Sequence, residues 1–375
     1  MVFPLKKEMQ NKVIQNTKDI YPPDDLIKPA IIESFDDCQV FRAGMNYRHA
    51  LKKLQKGRGM IVEGSYPTAI AFYTWLKKRI KTKNPVTDYL SSRKTKNIIH
   101  KTTKKVLLRI KEHRTDLFKS PVNPFLKALY PDKTEFLISL PDLLGINGAW
   151  QWYKNGVRYS VLEQNLHPFY GVYFPMRTEH LVMFDQWMEK NKQRFKSAVD
   201  IGTGCGVLSF IMAKHGIGSI RATDINPNAV YSTVAEVDRL GLTHCIHVEH
   251  GSFFGSQKKA LELVVFNPPW IPGRCYNEID RGIYYDDHFF NDFFDQAETR
   301  LASGSILAVI FSSFAREAGL TDHNPVEKAI SNRKNIIPEE KLTSKIDEKA
   351  GHHSNTWINE IRAKEKIELW ILKKI

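Results

Sequence analysis

The second half of the chain alternates between two hydrophobic patterns. Ala198 to Ile201, Ser219 to Thr223, Cys245 to Glu249 and Leu263 to Phe266 are short, largely apolar runs, and each is followed by a turn signal built on Gly, Asp or Pro. Between them, Val207 to Ala213 and the stretch opening at Asn226-Pro227-Asn228-Ala229 carry helical patterns. Short runs alternating with helices predict βα units and an α/β fold. Further on, a helix from Phe289 to Leu301 precedes the apolar run Ser305 to Phe311, and Lys366 to Leu372 forms a last strand. Residues 314 to 362, polar and lysine-rich, read as an insertion.

The first 150 residues follow a different pattern. After an irregular lead-in containing Pro22-Pro23-Asp24-Asp25, helical periodicity runs from Tyr47 to Leu54 and from Pro67 to Ile80, with Ser65 as a cap. Ile98, Ile99, Val106, Leu107, Ile110 and Leu117 predict one more amphipathic helix, from Ile98 to Phe118. Residues 1–150 are therefore expected to form a mainly helical, basic accessory domain, and 151–375 the second domain. Asn155-Gly156 predicts a hairpin between Trp150-Gln151-Trp152-Tyr153 and Val157 to Val161.

Candidate chemistry sits where the apolar runs end. Asp200-Ile201 leads into Gly202-Thr203-Gly204-Cys205-Gly206, a turn whose glycines let a ligand approach the backbone. The spacing is G-x-G-x-G, with Val207 where a dinucleotide fingerprint needs its third glycine. The second strand ends at Asp224, followed by Ile225 and Asn226, and a carboxylate there can accept from both hydroxyls of a ribose. The third leads to Gly251-Ser252-Phe253-Phe254, and the fourth to Asn267-Pro268-Pro269-Trp270.

In that order and spacing, these motifs resemble the class I S-adenosylmethionine-dependent methyltransferases. The Asn-Pro-Pro-aromatic signature resembles the nitrogen-methylating branch, which includes nucleic-acid amino-methyltransferases and HemK-type glutamine methyltransferases. The resemblance covers roughly residues 167 to 313 plus the last strand. It implies a Rossmann-like seven-stranded mixed sheet with helices on both faces, S-adenosyl-L-methionine as cofactor, and Asp224 on its ribose. It also implies that the segment Phe174 to Val182 covers the cofactor's methionine end, with Arg177 or Glu179 near the substrate; from the residues alone the same segment reads as a helix start with Thr178 as its cap. Three departures stand out. Met176 occupies the place of a second proline, Ser252 that of an aspartate that accepts from the adenine amino group, and Glu262 that of another aspartate.

The last motif suits a planar amino group, whose delocalised lone pair attacks a methyl group poorly. Acceptors on its two N–H bonds draw it toward a tetrahedral shape. Asn267 offers a side-chain carbonyl, Pro268 a backbone carbonyl, and Pro268-Pro269 fixes their directions. Trp270 offers a face for stacking. Arg274, Tyr285 and Asp286, in loops after strand ends, are second-rank substrate candidates.

Composition sharpens the choice of partner. The chain carries a formal net charge of +14 over 375 residues, and residues 1–150 hold all the excess, with 28 Lys+Arg against 14 Asp+Glu. From Lys77 to Arg114 there are 14 basic residues against Asp88 and Glu112 alone. Such a stripe is the footprint of a polyanion, RNA before DNA, or else simply a solvated helical face. The expected function is methylation of an amino nitrogen of a nucleic-acid base. A protein glutamine, a small-molecule amine, or a non-catalytic cofactor-binding role are the alternatives. Cys38, Cys205, Cys245 and Cys275 are scattered, and neither they nor His352-His353 compose a metal motif, so no metal is expected. No run of eighteen apolar residues exists and Met1 to Glu8 lacks an apolar signal core, so no membrane span and a cytoplasmic location are expected.

Overall fold

The computed structural model describes residues 25–33, 38–256, 261–275, 279–346 and 356–375. The lead-in Pro22-Pro23-Asp24 and the pair His352-His353 lie outside them. The described chain divides into two compact units, one ending at Lys154 and the other running from Asn155 to Ile375.

In the first unit more residues are helical than extended, but a five-stranded sheet runs through it that the hydrophobic pattern does not announce. Strands β1 (Cys38–Phe41), β2 (Gly59–Val62) and β3 (Val106–Lys111) are parallel, and β3 pairs antiparallel with β4 (Arg114–Thr115) and β5 (Glu135–Ser139). Ser65 caps the helix Tyr66–Lys83, as expected, by accepting from the Thr68 amide. The helix expected over Ile98 to Phe118 is instead the end of the helix Tyr89–Thr103 followed by β3. Val106, Leu107, Leu108 and Ile110 are all buried there. A fully buried strand reads as a continuous apolar run, which periodicity cannot separate from a helix. The expected hairpin is also absent. Trp150 and Tyr153 lie in the helix Leu140–Asn155 and pack on Phe125, while Gly156, at φ +73°, follows the end of that helix. Asn-Gly signals both features because both need a left-handed residue.

The second unit holds β6 (Ser197–Ile201), β7 (Ser219–Asp224), β8 (Ile246–His250), β9 (Leu263–Phe266), the short pair β10 (Ile271–Pro272) and β11 (Tyr284–Tyr285), β12 (Ile306–Ser312), β13 (Ile336–Lys345) and β14 (Lys366–Lys374). Seven of these form one sheet in the order β13-β14-β12-β9-β6-β7-β8. Only β14 runs against the others, antiparallel to both its neighbours, which gives the expected mixed sheet. Val199, Ile201, Val264, Phe266, Val309, Phe311, Trp370 and Leu372 share one apolar cluster with the helix Phe289–Arg300. The alternate residues Ala198, Val265, Ala308, Ile310 and Ile371 are buried as well. Cover on both faces is what makes these strands unbroken apolar runs in sequence.

Residues 314 to 362 are more than an insertion. They contribute the helices Phe314–Glu317 and Pro325–Ser331 and the ten-residue outer strand β13. Exposed Glu339, Glu340 and Lys341 on that strand discourage further pairing at the edge. At the centre of the sheet β6 has β7 on one side and β9 on the other. The strand order reverses there, and ligands of open α/β sheets bind beyond the strand ends at such a point. Ile201, Asp224 and Phe266 end the three strands that frame it.

Candidate functional site

A cavity of about 650 Å³ lies at this switch point, with Ile201, Asp224 and Phe266 in its wall. The turn after β6 supplies Gly202, Thr203, Gly204 and Cys205. Gly204 has φ +55°, and a Cβ there would stand 2.8 Å from the Tyr173 carbonyl oxygen, so backbone strain and a backbone clash both exclude a side chain. A Cβ at Gly202 would meet nothing nearer than Phe266 at 3.8 Å. Glycine there leaves the wall open to a ligand. The Cys205 thiol is buried, which pushes its pKa up to about 12; it is therefore a neutral wall group and not a thiolate nucleophile.

Two carboxylates hold the turn from different sides. Asp200 is fully buried and does not line the cavity, contrary to its expected place among the cofactor contacts. Its Oδ2 accepts from Thr203 Oγ1 at 2.7 Å, Ser209 Oγ at 2.7 Å and the Ser209 amide at 3.1 Å. Burial raises its pKa to about 6, against the lowering effect of those hydrogen bonds. Asp224 does reach the wall. It accepts from the Gly204 amide through Oδ2 at 2.9 Å and from the Asn226 amide through Oδ1 at 2.8 Å. Each oxygen keeps a lone pair for a further donor. Desolvation raises its pKa too, opposed by the two amides.

The neighbouring motif residues have distinct duties. Ile225 exposes its apolar side chain at the wall. Asn226, also on the wall, caps the helix Pro227–Arg239 by accepting from the Asn228 amide, and donates to the Gly171 carbonyl. Ser252 and Phe253 line the cavity after β8. Phe253 has φ +47°, a conformation uncommon outside glycine and often found at ligand sites, and its carbonyl accepts from Thr223 Oγ1 at 2.5 Å. Gly206 stands behind the wall, where a Cβ would lie 2.7 Å from Phe210.

At the end of β9, Asn267 and Pro269 line the cavity, and so do Arg274, Tyr285 and Asp286. Burial pushes the Tyr285 phenol up to about 12. Pro268 is buried and off the wall. Trp270 is off it as well. Its ring packs on the sheet core, meets His180 edge-on at 5.6 Å, and donates through Nε1 to Asn267 Oδ1 at 3.0 Å. The open stacking face expected of it is not present.

Arg177 and Glu179 lie apart from the cavity wall. They bond each other at 3.1 Å, and Arg177 also reaches Glu365 at 3.2 Å. Arg362 and Ser312 complete the set around the buried Glu365 carboxylate. Thr178 occupies the N-cap position of the helix Glu179–Asn191 without a side-chain capping bond. That segment meets the cavity through Pro175, and the residues just before it do so through Gly171 and Tyr173, which sequence reasoning passed over. Their signal is the aromatic, glycine-punctuated run Phe169-Tyr170-Gly171-Val172-Tyr173 directly before the noted Pro175-Met176-Arg177. Arg281 and Phe289 also line the wall unannounced. Among the described residues no cluster of His, Cys, Asp or Glu could hold a metal, and no helix is long and apolar enough to cross a membrane.

The strand order and the glycine turn define a Rossmann-like α/β domain with a ligand crevice at its switch point. Residues 182–336 match the family model of the methyltransferase small domain, less than half of the chain. Among its relatives is a ribosomal protein L11 methyltransferase of Exiguobacterium sp., 26% identical over 136 residues that cover 32% of this chain and 43% of that protein. Another is a putative protein N5-glutamine methyltransferase of Methanocaldococcus jannaschii, 26% identical over 163 residues, 42% of this chain and 79% of that protein. The chain thus spans less than half of the first of these. A solved tRNA m1G37 methyltransferase of M. jannaschii is similar over 54% of this chain and 51% of its own, at 18% identity and a TM-score of 0.36.

Proposed function

We propose that this chain transfers a methyl group from S-adenosylmethionine to a planar amino or amide nitrogen, preferably of an RNA base, with a DNA base second. The observation that carries the reading is that Asn267 lines the same cavity as Asp224 and the glycine turn. The cavity fits the cofactor by its size, by the open wall at Gly202, and by the lone pairs left on Asp224 for ribose hydroxyls. When bound, S-adenosylmethionine supplies a methyl group on a sulfonium, activated for in-line transfer.

The protein's own work is binding and positioning. Asp224 accepts from the ribose, Gly202 to Cys205 present backbone, Ile225 covers an apolar face, and Ser252 and Phe253 border the adenine. Asn267 Oδ1, on the cavity wall, accepts from a substrate N–H bond as that nitrogen turns tetrahedral. A nitrogen–carbon bond forms as the carbon–sulfur bond breaks, and the cationic nitrogen then releases its proton to water. Arg274 and Arg281 stand in the wall with Asp286, and the basic excess of the first unit favours an anionic substrate. A flipped or unpaired base presents its amino group to such a site.

A protein glutamine is the second reading, favoured by the similarity to an N5-glutamine methyltransferase, while the L11 methyltransferase also has a protein substrate. One experiment separates them. Tritiated S-adenosylmethionine is incubated with the full chain and total cellular RNA, DNA, protein or small metabolites. Label in RNA, lost in the Asn267→Ala variant, supports the first reading. Label in protein alone moves the substrate to a protein, and label in no fraction overturns the transferase reading in favour of a cofactor-binding subunit.

A further inference from the structure

The bond between Trp270 and Asn267 constrains the chemistry more than its length suggests. An indole nitrogen carries a hydrogen and no available lone pair, so it can only donate. The Asn267 atom it meets at 3.0 Å must therefore be the carbonyl oxygen, and the two ends of the carboxamide are distinguished by chemistry. Without that donor the amide could rotate by half a turn at χ2 and offer its NH2 where the oxygen stood. A substrate N–H would then meet another N–H and find no acceptor.

Trp270 is itself held from behind. His180 lies edge-on to it, is 2% exposed, and neither of its ring nitrogens has a hydrogen-bond partner. Burial lowers its pKa to about 4, so it packs against Trp270 as a neutral ring at neutral pH. With the indole off the cavity wall, its ring is not available there for substrate stacking, and its polar contact is with Asn267.

We propose that Trp270 is a positioning residue, whose indole N–H locks the Asn267 carboxamide in the one orientation that leaves a carbonyl lone pair for the substrate nitrogen. This rests on Asn267 being the acceptor proposed above. A phenylalanine or tyrosine ring at the same place could stack but has no N–H to set the amide. In this chain the fourth residue of the motif therefore acts on the first.

The test has two arms, run on the full chain. The first reads hydrogen exchange of the Trp270 indole N–H by NMR, without any substrate. Exchange should be slow in the wild type, faster in Asn267→Ala, and slow again in Asn267→Asp, which keeps an acceptor. Equal rates in all three overturn the lock. The second arm measures tritium transfer into total cellular RNA and, separately, total cellular protein. Trp270→Phe keeps an apolar ring and loses only the donor, so turnover should fall about tenfold, the worth of one hydrogen bond, with cofactor KM unchanged. In the Asn267→Asp background the same substitution should change turnover less than twofold, since both oxygens of a carboxylate accept and there is no orientation to set. An equal fall in both backgrounds, or none in either, overturns the proposal. Full turnover in Asn267→Ala would instead sink the transferase role of the motif, and if neither acceptor takes label, the exchange arm alone decides the lock.

Discussion

The two ends of the cavity are built differently. At the glycine turn, Asp200 takes three hydrogen bonds through one oxygen and Asp224 takes two backbone amides, so the wall is fixed by several short bonds within one βα unit and its neighbour. At the other end the Asn267 side chain has its one described bond, from Trp270, and further wall comes from Arg274, Arg281, Tyr284, Tyr285 and Asp286, in the loops and short elements after β9. A preformed cradle suits a cofactor that is the same in every cycle, whereas loop side chains suit an acceptor on which specificity must be imposed. The difference teaches that affinity and turnover should separate on mutation.

The largest effect tests that separation from the transfer end. Asn267→Ala should lower turnover by about a hundredfold or more, because an acceptor aimed at developing charge contributes most in the transition state. Cofactor affinity measured by calorimetry should stay within about twofold. A variant that lost cofactor binding and turnover in equal measure would merge the two ends into one.

The reverse outcome is expected at the cradle. Asp224→Ala leaves ribose hydroxyls and the Gly204 and Asn226 amides without their acceptor, and should weaken cofactor binding by about 1–3 kcal/mol, or roughly tenfold to a hundredfold. At saturating cofactor much of the turnover should return. If turnover stays low while affinity is unchanged, the assignment of Asp224 to the ribose is wrong.

The cradle was the more legible end in sequence, and the reason is physical. Gly204 and Asp224 act through backbone φ and through a strand end, both of which leave fixed spacings along the chain. Trp270 was readable as an aromatic but not as a donor turned away from the cavity, because its direction depends on His180, ninety residues earlier. Arg177 and Glu179 were drawn toward the substrate by motif position, yet the buried Glu365 near the end of the chain holds Arg177 elsewhere. In the first unit β3 was hidden by its own burial, and at the start of the second Gly156 was hidden by the shared chemistry of helix ends and hairpins.

A third measurement probes the buried side of the cradle through pH. The folded pKa of Asp200, about 6, lies above the ordinary value of 3.8, so the native state binds the extra proton in that window. The favourable contribution of Asp200 is then fully present below about pH 4 and is lost as pH rises through about 6, amounting to roughly 1–3 kcal/mol. Asp200→Asn keeps an acceptor for Thr203 and Ser209 and cannot ionise. Denaturant titrations from pH 4 to 7 should show wild-type stability falling relative to that variant. Parallel curves would mean that Asp200 ionises normally inside the fold.

The smallest effect on the cavity should come from outside it. Lys94, Lys96 and Lys101 are exposed on the helix Tyr89–Thr103, whereas Lys104 pairs with Asp142 at 3.0 Å and Lys105 donates to the Leu54 carbonyl at 3.1 Å. Reversing the last two would disturb the fold of the first unit, so the exposed trio is the cleaner probe of a polyanion surface. If those lysines meet phosphates, the log–log dependence of RNA binding on salt should lose about 0.7 in slope per contact removed on single strands. Cofactor affinity should not change, because none of the three lines the cavity. Triple Lys→Glu substitution with binding to single-stranded RNA followed across salt concentrations checks both statements together. A salt slope unchanged by the substitution would take nucleic acid off this surface and shift the weight toward a protein acceptor, while leaving the two ends of the cavity as they are.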